Sequence, residues 1–211
     1  MIARYALLTS ILALTVGCFP KGPGPRLAHF AHQAPAVGEP APGFELRGLD
    51  GEAVRLEELV GDKPIVLQLG SHSCPVYRYR RFDLEDLVQE FGDRVHFVLV
   101  YTQEAHPKGS RSPYAEGEWI SLPNRLTGVF VDQPVDLEAR TARAQFSAEK
   151  LKLPHRVLVD AMDNAVWSSY GSASSPAFVI DPAGNVATSQ VWIDPEEIRR
   201  VLLELLELLE E

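Results

Sequence analysis

The chain has 211 residues, of which 45% are hydrophobic and 23% are charged, and its formal net charge is -9. This length suffices for one domain with a sizeable core, and the composition is that of a soluble globular protein. The acidic balance, without any basic stretch interleaved with aromatic residues, argues against a nucleic-acid partner. The two cysteines, Cys18 and Cys74, cannot form a disulfide framework, and no Cys or His spacing typical of zinc is present, so we expect no metal.

Residues 1–18 have the pattern of an export signal. Arg4 precedes an apolar run over residues 5–16, which is shorter than the roughly 20 residues of a membrane span. Small residues then lead to Cys18, as in a lipobox, although Leu14 stands one position before the usual place of that motif's leucine. We expect export to the cell envelope, with a lipid on Cys18 that anchors the protein to the membrane. Secretion without a lipid and a retained membrane anchor are the alternatives.

Residues 19–42 are rich in Pro, Gly and Ala and lack any helical or strand periodicity. They predict a tether, which leaves residues 43–211 as the folded domain. At the start of this domain, two short apolar segments flank the turn sequence at residues 48–51 and predict a hairpin.

An apolar strand at residues 65–69, a helix over 75–91 and a second strand at 95–101 form a predicted βαβ unit, whose two strands are parallel. Residues 107–136 predict a long irregular loop, and the helix over 137–151 is expected to turn Ala142, Phe146 and Leu151 inward. Further elements are expected as strands at 157–159, 177–180 and 186–192, a short helix within 162–170, and a last helix that starts at Pro195.

This order predicts an α/β protein with a thioredoxin-like fold: a central mixed sheet flanked by helices, with an N-terminal hairpin extension. The last helix carries a wide apolar stripe, which packing on the sheet explains. A contact within a homodimer is the alternative explanation of this stripe.

Cys74 follows the first strand of the βαβ unit and precedes Pro75 at a helix start, where unpaired N–H groups and the helix dipole favour a thiolate. An inert buried cysteine is the alternative. The next parallel strand ends at the same edge of the sheet, so Glu104 and His106 in the following loop are expected near Cys74. We expect His106 to act as acid or base and Glu104 to orient it. His72 is a second candidate activator of the thiol, with an exposed loop position as the alternative.

Four segments resemble the iodothyronine deiodinases. Residues 64–67 read Pro-Ile-Val-Leu, residues 70–75 read Gly-Ser-His-Ser-Cys-Pro, residues 104–107 read Glu-Ala-His-Pro, and residues 159–164 read Val-Asp-Ala-Met-Asp-Asn. The resemblance extends from residue 64 to the C-terminus. It implies a thioredoxin fold, reductive removal of iodine from thyroid hormones, and in many members a homodimer.

The resemblance also implies roles for single residues. Cys74 stands where the family has selenocysteine, and Ser71 and Ser73 match the loop before it. Tyr101, together with Glu104 and His106, matches a hydrogen-bonded group that the family uses for substrate and proton handling.

Two departures from the family bear on these roles. His72 stands where some members carry a second thiol, so no resolving cysteine is available. Ser175 and Pro176 stand where the family has Glu-Arg, whose arginine grips the hormone. Pro176 instead matches the proline of ordinary thioredoxins, which is often cis and next to the thiol.

These features predict an exported one-cysteine thiol oxidoreductase in which Cys74 attacks a soft electrophile. The reaction is reductive dehalogenation of an iodinated phenol, or reduction of a peroxide or disulfide. We expect no cofactor, a small-molecule or disulfide substrate, and an external thiol donor that regenerates Cys74. The alternative is an envelope lipoprotein of thioredoxin fold that binds a ligand without redox turnover.

Overall fold

The structure is a computed structural model that describes residues 29–210. The predicted export signal, Cys18 and the first part of the predicted tether lie outside the described residues. The described strands are β1 (Glu45–Gly48), β2 (Ala53–Arg55), β3 (Ile65–Gly70), β4 (His96–Tyr101), β5 (Arg156–Val159), β6 (Ala177–Ile180) and β7 (Val186–Gln190). The described helices are α1 (Phe30–Gln33), α2 (Leu56–Leu59), α3 (Pro75–Tyr79), α4 (Arg81–Phe91), α5 (Leu122–Thr127), α6 (Leu137–Leu151), α7 (Ala165–Ser169) and α8 (Pro195–Glu210).

All seven of these strands form one sheet in the order β2-β1-β5-β4-β3-β6-β7. Strand β4 lies between β3 and β5 and is parallel to both, whereas β6 is antiparallel to β3. Strands β1 and β2 form a hairpin, and β1 extends the sheet beside β5. The predicted mixed sheet, its parallel βαβ unit and its hairpin extension are therefore confirmed.

The central strands are buried on both faces. Leu67 of β3 packs with α1, α2 and α7 on one face, whereas its neighbour Val66 points to the other face and packs with α4 and α8. On that second face Leu99 of β4 packs beside α3 and α6, in the cluster that contains Cys74. Burial of each such side chain contributes about 1.5–3 kcal/mol to the stability of the fold.

The helix that was predicted over residues 75–91 is two helices, α3 and α4, which meet at Arg80. Their inward side chains enter different parts of the core. Tyr77 of α3 packs in the cluster around Cys74, whereas Leu84 and Leu87 of α4 pack against α8. A single straight helix could not reach both clusters. The apolar periodicity of the sequence does not reveal the change of direction at Arg80.

The predicted bounds of α6 are confirmed, and Leu151 is buried as predicted, but the prediction is wrong for Ala142 and Phe146. Ala142 and Phe146 are exposed, and the buried side chains are those of Arg140, Ala144, Ser147 and Leu151. Hydrogen bonds explain the inward polar residues, because Arg140 donates to the backbone oxygens of Asp160 and Ala161. Such partners offset the cost of burying a charge.

Part of the segment that was predicted as a tether packs on the domain. The ring of Phe30 lies 6.2 Å from the ring of Phe178 on β6, and the N–H of Gly38 donates to the carbonyl of Val186 at 2.8 Å. Gly171 makes this contact possible, because its φ is +87° and a Cβ there would lie 2.6 Å from the Phe30 ring. Residues 30–41 therefore belong to the folded unit.

Helix α8 begins as predicted, since the carboxylate of Asp194 accepts the N–H groups of Glu196 and Glu197. Ile198 and Leu202 are fully buried against the sheet, whereas Leu209 is exposed. Packing thus accounts for most of the apolar stripe. None of the helices between residues 29 and 210 combines the length and the apolar character that a membrane span requires.

Candidate functional site

Cys74 lies between the end of β3 and the start of α3, at the edge of the sheet where β4 also ends. Its side chain is only 1% exposed. The backbone N–H groups of Tyr77 and Val76 and the hydroxyl of Ser174 lie close enough to the sulfur to favour its charged form. The backbone N–H of Cys74 itself donates to the carbonyl of Ser71 at 3.0 Å, which closes the turn before the helix.

Burial raises the pKa of the Cys74 thiol, because desolvation penalises the thiolate. The hydrogen bonds from Tyr77, Ser174 and Val76 and the charge of Arg78 lower that pKa, but their effects are smaller. The N–H groups at the start of α3 thus favour the thiolate, as expected, but burial outweighs them. Helix α3 has only 5 residues, so its dipole offers little against complete burial.

The carboxylate of Glu104 joins the two loops of the site. It is fully buried and accepts the backbone N–H of Ser73 at 2.7 Å, while its other oxygen accepts the hydroxyl of Tyr101. The Tyr101 hydroxyl in turn accepts the backbone N–H of His72 at 3.0 Å. Burial and the nearby carboxylate raise the pKa of Tyr101 well above its ordinary value, so it remains a hydrogen-bond donor at all working pH values.

The two serines before Cys74 complete the connection between these loops. The hydroxyl of Ser71 accepts the N–H of Ala105 at 3.1 Å, and the hydroxyl of Ser73 accepts the N–H of His106 at 2.9 Å. Both serines are fully buried. The loop that carries the thiol is therefore fixed to the loop after β4 by side chains from both sequence motifs.

His106 lies in this network through its backbone, but its ring points to the long loop. Its Nδ1 lies 3.2 Å from the carbonyl of Trp119, and the two rings meet edge to face at 4.4 Å. A carbonyl only accepts hydrogen bonds, so Nδ1 carries the hydrogen and Nε2 holds the free lone pair of the neutral ring. Burial lowers the pKa of His106. Glu104 was expected to orient this ring, but the carbonyl of Trp119 does so.

His72 is buried rather than exposed, and its ring contacts helix α6. Its Nδ1 lies 3.1 Å from the hydroxyl of Ser147 on α6, and its ring packs edge to face with Phe146. Burial lowers the pKa of His72 to about 4, with further contributions from nearby cations that include Arg78. His72 is therefore neutral at neutral pH and anchors the loop to α6.

The segment that carries Ser175 and Pro176 lies beside the thiol, as the sequence predicts, but no peptide bond among the described residues is cis. The bond before Pro176 is trans, and the segment pairs with its neighbours in the sheet. The carbonyl of Pro176 accepts the N–H of Leu69, and Ser175 pairs with Trp192. The contact with the sulfur comes from the preceding residue, Ser174.

Sequence reasoning missed the contribution of the long loop over residues 107–136. Its helix α5 places Asn124, which is fully buried, so that the side-chain amide donates to the carbonyl of Ser73 at 2.8 Å. The oxygen of the same side chain accepts a bond from Arg78 at 2.6 Å. Gln133 in this loop also accepts the N–H of Glu104 at 2.7 Å. Only the N-cap pattern at Ser121, which starts α5, gave a local signal for this helix.

Between residues 29 and 210 no group of three or more His, Cys, Asp or Glu side chains is placed to hold a metal ion. The site consists of one buried thiol, a carboxylate–phenol pair and a neutral imidazole. Such a set can move a proton and present one nucleophilic sulfur.

Comparison with solved structures establishes the thioredoxin-like fold. A secreted disulfide oxidoreductase of Mycobacterium tuberculosis superposes with a TM-score of 0.51 at 17% identity, over 77% of this chain and 96% of that one. The exposed lipoprotein thioredoxin Etrx1 of Streptococcus pneumoniae gives a TM-score of 0.51 at 20% identity, over 78% of this chain and 100% of that one.

The chain belongs to the iodothyronine deiodinase family, whose model matches residues 26–202. The thyroxine 5-deiodinase of Gallus gallus is 28% identical over an alignment of 177 positions, gaps included, and the match covers 77% of this chain and 64% of that protein. The type I iodothyronine deiodinase of Xenopus laevis is 28% identical over an alignment of 171 positions, and the match covers 79% of this chain and 62% of that protein. The matched region thus spans less than two thirds of each of these relatives.

Proposed function

We propose that the protein is an exported, one-cysteine thiol oxidoreductase that removes iodine reductively from an iodinated phenol. The observation that carries this proposal is the placement of Cys74, in a chain of the deiodinase family, on a loop fixed by Glu104, Tyr101 and the two serines. The membership in the family supports the reaction class, and the thioredoxin-like fold supports a thiol as the reacting group.

In the proposed reaction, the thiolate of Cys74 attacks the iodine atom. The carbon–iodine bond breaks, the ring carbon takes a proton, and a sulfur–iodine bond forms. An external thiol then attacks the sulfur of Cys74 and expels iodide, which leaves a mixed disulfide. A second external thiol resolves this disulfide and restores Cys74, so that two thiols are oxidised for each iodine removed.

The residues around Cys74 have distinct parts in this scheme. The hydroxyl of Ser174 and the N–H groups of α3 stabilise the sulfur when it carries charge. His106, with Nδ1 held by Trp119, offers the lone pair of Nε2, which accepts the proton of the phenol and then delivers it to the ring carbon. The substrate is a compact iodinated phenol rather than a thyroid hormone, because Ser175 and Pro176 stand where the family has the arginine that binds the hormone.

The alternative function is a binding module of the envelope in which the thiol does not turn over. One observation favours it: Cys74 is only 1% exposed and burial raises its pKa. Under this alternative the network of Glu104 and Tyr101 serves stability alone, and no substrate reaches the sulfur.

The test is to give the full-length protein a dithiol together with an iodothyronine, an iodotyrosine or a peroxide, and to measure iodide release and peroxide loss. We expect iodide release that disappears in Cys74→Ser and persists in Cys18→Ser, the matched control at the other cysteine. Iodide release that is equal in Cys74→Ser and the unaltered protein refutes the proposal. Loss of peroxide without release of iodide selects peroxide reduction as the reaction of the same thiol.

A further inference from the structure

We infer that Arg78, held in place by Asn124, is the positioning residue that stabilises the thiolate of Cys74. The inference deepens the proposed function and rests on it in one respect, namely that a thiolate is the reacting form. Neither residue belongs to the two sequence motifs on which the site was predicted, and the structure brings them together across 46 residues of sequence.

The backbone of α3 places Arg78 on the same face of the helix as Cys74. The two residues are one helical turn apart, and the N–H of Arg78 donates to the carbonyl of Cys74 at 3.3 Å. The side chain then folds back over the thiol loop instead of extending into solvent. One of its terminal nitrogens, Nη1, donates to the carbonyl of His72, and the other, Nη2, donates to Oδ1 of Asn124 at 2.6 Å.

Asn124 ties the guanidinium to the residue directly before the thiol. While its oxygen accepts from Arg78, its Nδ2 donates to the carbonyl of Ser73 at 2.8 Å. Arg78 and Asn124 together therefore hold the carbonyls of His72 and Ser73, the two residues that precede Cys74. An amide is the side chain that fits this position, because it donates at one end and accepts at the other.

A fixed positive charge near Cys74 would favour the thiolate of this buried residue. Desolvation penalises its thiolate, and both neighbouring histidines, His72 and His106, are kept neutral by burial near neutral pH. Arg140 is engaged with the carbonyls of Asp160 and Ala161 instead. An arginine keeps its charge throughout the physiological pH range, so the guanidinium of Arg78 adds a fixed positive charge to the hydrogen bonds that favour the thiolate.

The test measures the pKa of the thiol directly. In the full-length chain with Cys18→Ser, Cys74 is the sole cysteine, so the pH dependence of alkylation by iodoacetamide and of the ultraviolet absorbance of the thiolate reports its pKa. We expect Arg78→Gln to raise this pKa by about one unit. Alkylation below both pKa values then slows about tenfold. Arg78→Lys, which keeps the charge but not the forked contacts, gives a smaller rise.

Two further variants separate charge from structure. Asn124→Asp retains the shape of the side chain but adds a negative charge against Arg78, so it also raises the pKa of Cys74. Arg80→Gln is the matched control on the same helix segment, where Arg80 is exposed and paired with Asp83, and it leaves the pKa unchanged.

An unchanged pKa in folded Arg78→Gln overturns the inference. If that variant does not fold, Arg78→Met, which also removes the charge, decides, because a raised pKa supports the inference and an unchanged one overturns it. These readings need no substrate, so they are independent of iodide release. A Cys74→Ser variant with full activity would refute the proposed function while the effect of Arg78 on the thiol still stood.

Discussion

The carboxylate of Glu104 accepts the backbone N–H of Ser73 at 2.7 Å, across 31 residues of sequence. This bond joins the loop after β4 to the loop that carries Cys74, at the edge where parallel strands end. Glu104 therefore holds the backbone of the residue that precedes the thiol. Its contribution to stability can be measured through the hydrogen bonds of this buried network.

Tyr101→Phe tests the buried network directly. The hydroxyl that is removed donates to Glu104 and accepts the N–H of His72, so the variant leaves a buried N–H and a carboxylate oxygen without their partner. We expect the free energy of unfolding, measured in urea, to fall by about 1–3 kcal/mol. Tyr79→Phe is the control, because that ring is 57% exposed, and its effect should remain within about 0.5 kcal/mol.

The double variant of Tyr101→Phe with Glu104→Leu measures how strongly the two residues are coupled. Because both single variants remove the hydrogen bond between the phenol and the carboxylate, we expect the double variant to be less destabilised than the sum of the two, by about 0.5–3 kcal/mol. Strictly additive losses would show that the phenol and the carboxylate contribute independently, contrary to the contact between them.

Trp119→Ala tests the environment of the proposed acid–base group. The indole covers the His106 ring at 4.4 Å, and burial lowers the pKa of that imidazole. Removal of the indole admits water, so the pKa of His106 should rise towards its ordinary value, as measured by NMR titration of the ring protons. Trp192→Ala is the control, since the exposures of Trp192 and Trp119 are similar, at 39% and 43%. An unchanged titration in Trp119→Ala would contradict the role of the indole.

The sequence was sufficient for the fold because both strands of the βαβ unit are largely apolar runs of the length of a buried strand. It was also sufficient to bring Cys74, Glu104 and the backbone of His106 to one edge, because parallel strands end on the same side. These inferences need only the direction of the chain and the periodicity of its side chains.

The details of the site could not be predicted, because they depend on side-chain directions that the periodicity does not determine. Asn124 lies in a long loop without periodicity, and its two hydrogen bonds join groups distant in sequence. The inward face of α6 was missed because Arg140 and Ser147 are polar, and only their buried partners explain why they point inward. Burial of the thiol, which decides the direction of its pKa shift, is likewise a property of the assembled loops.

Gly70→Ala tests the close packing of β3 against α3. A Cβ at residue 70 would lie 2.6 Å from the ring of Tyr77, which is 1% exposed and held by its neighbours. Since the ring cannot move away freely, we expect a loss of about 1–3 kcal/mol in the free energy of unfolding. Gly117→Ala is the control, because a Cβ there meets no atom within 4 Å. Equal stabilities of the two variants would contradict this close packing.

The stability of the protein should decrease in mild acid. Burial lowers the pKa of both His72 and His155 from 6.5 to about 4. The unfolded chain therefore binds protons as the pH falls below 6.5, whereas the folded chain does not bind them until about pH 4. The stabilisation is complete above pH 6.5 and is lost as the pH falls from 6.5 to about 4. It amounts to about 3 kcal/mol for His155 and to less for His72, which is less completely shielded from solvent, as measured by urea denaturation across the window.

His155→Gln isolates one of these two contributions. Both ring nitrogens of His155 are buried and lack a hydrogen-bond partner within the described part of the chain, so protonation of this ring in the folded state has nothing to offset it. We expect the variant to retain the stability of the unaltered protein more fully at the acid end of the window, with a slope against pH about half as steep. His32→Gln, the same exchange at an exposed position, should leave the slope unchanged. A slope in His155→Gln equal to that of the control would assign the acid sensitivity to other groups.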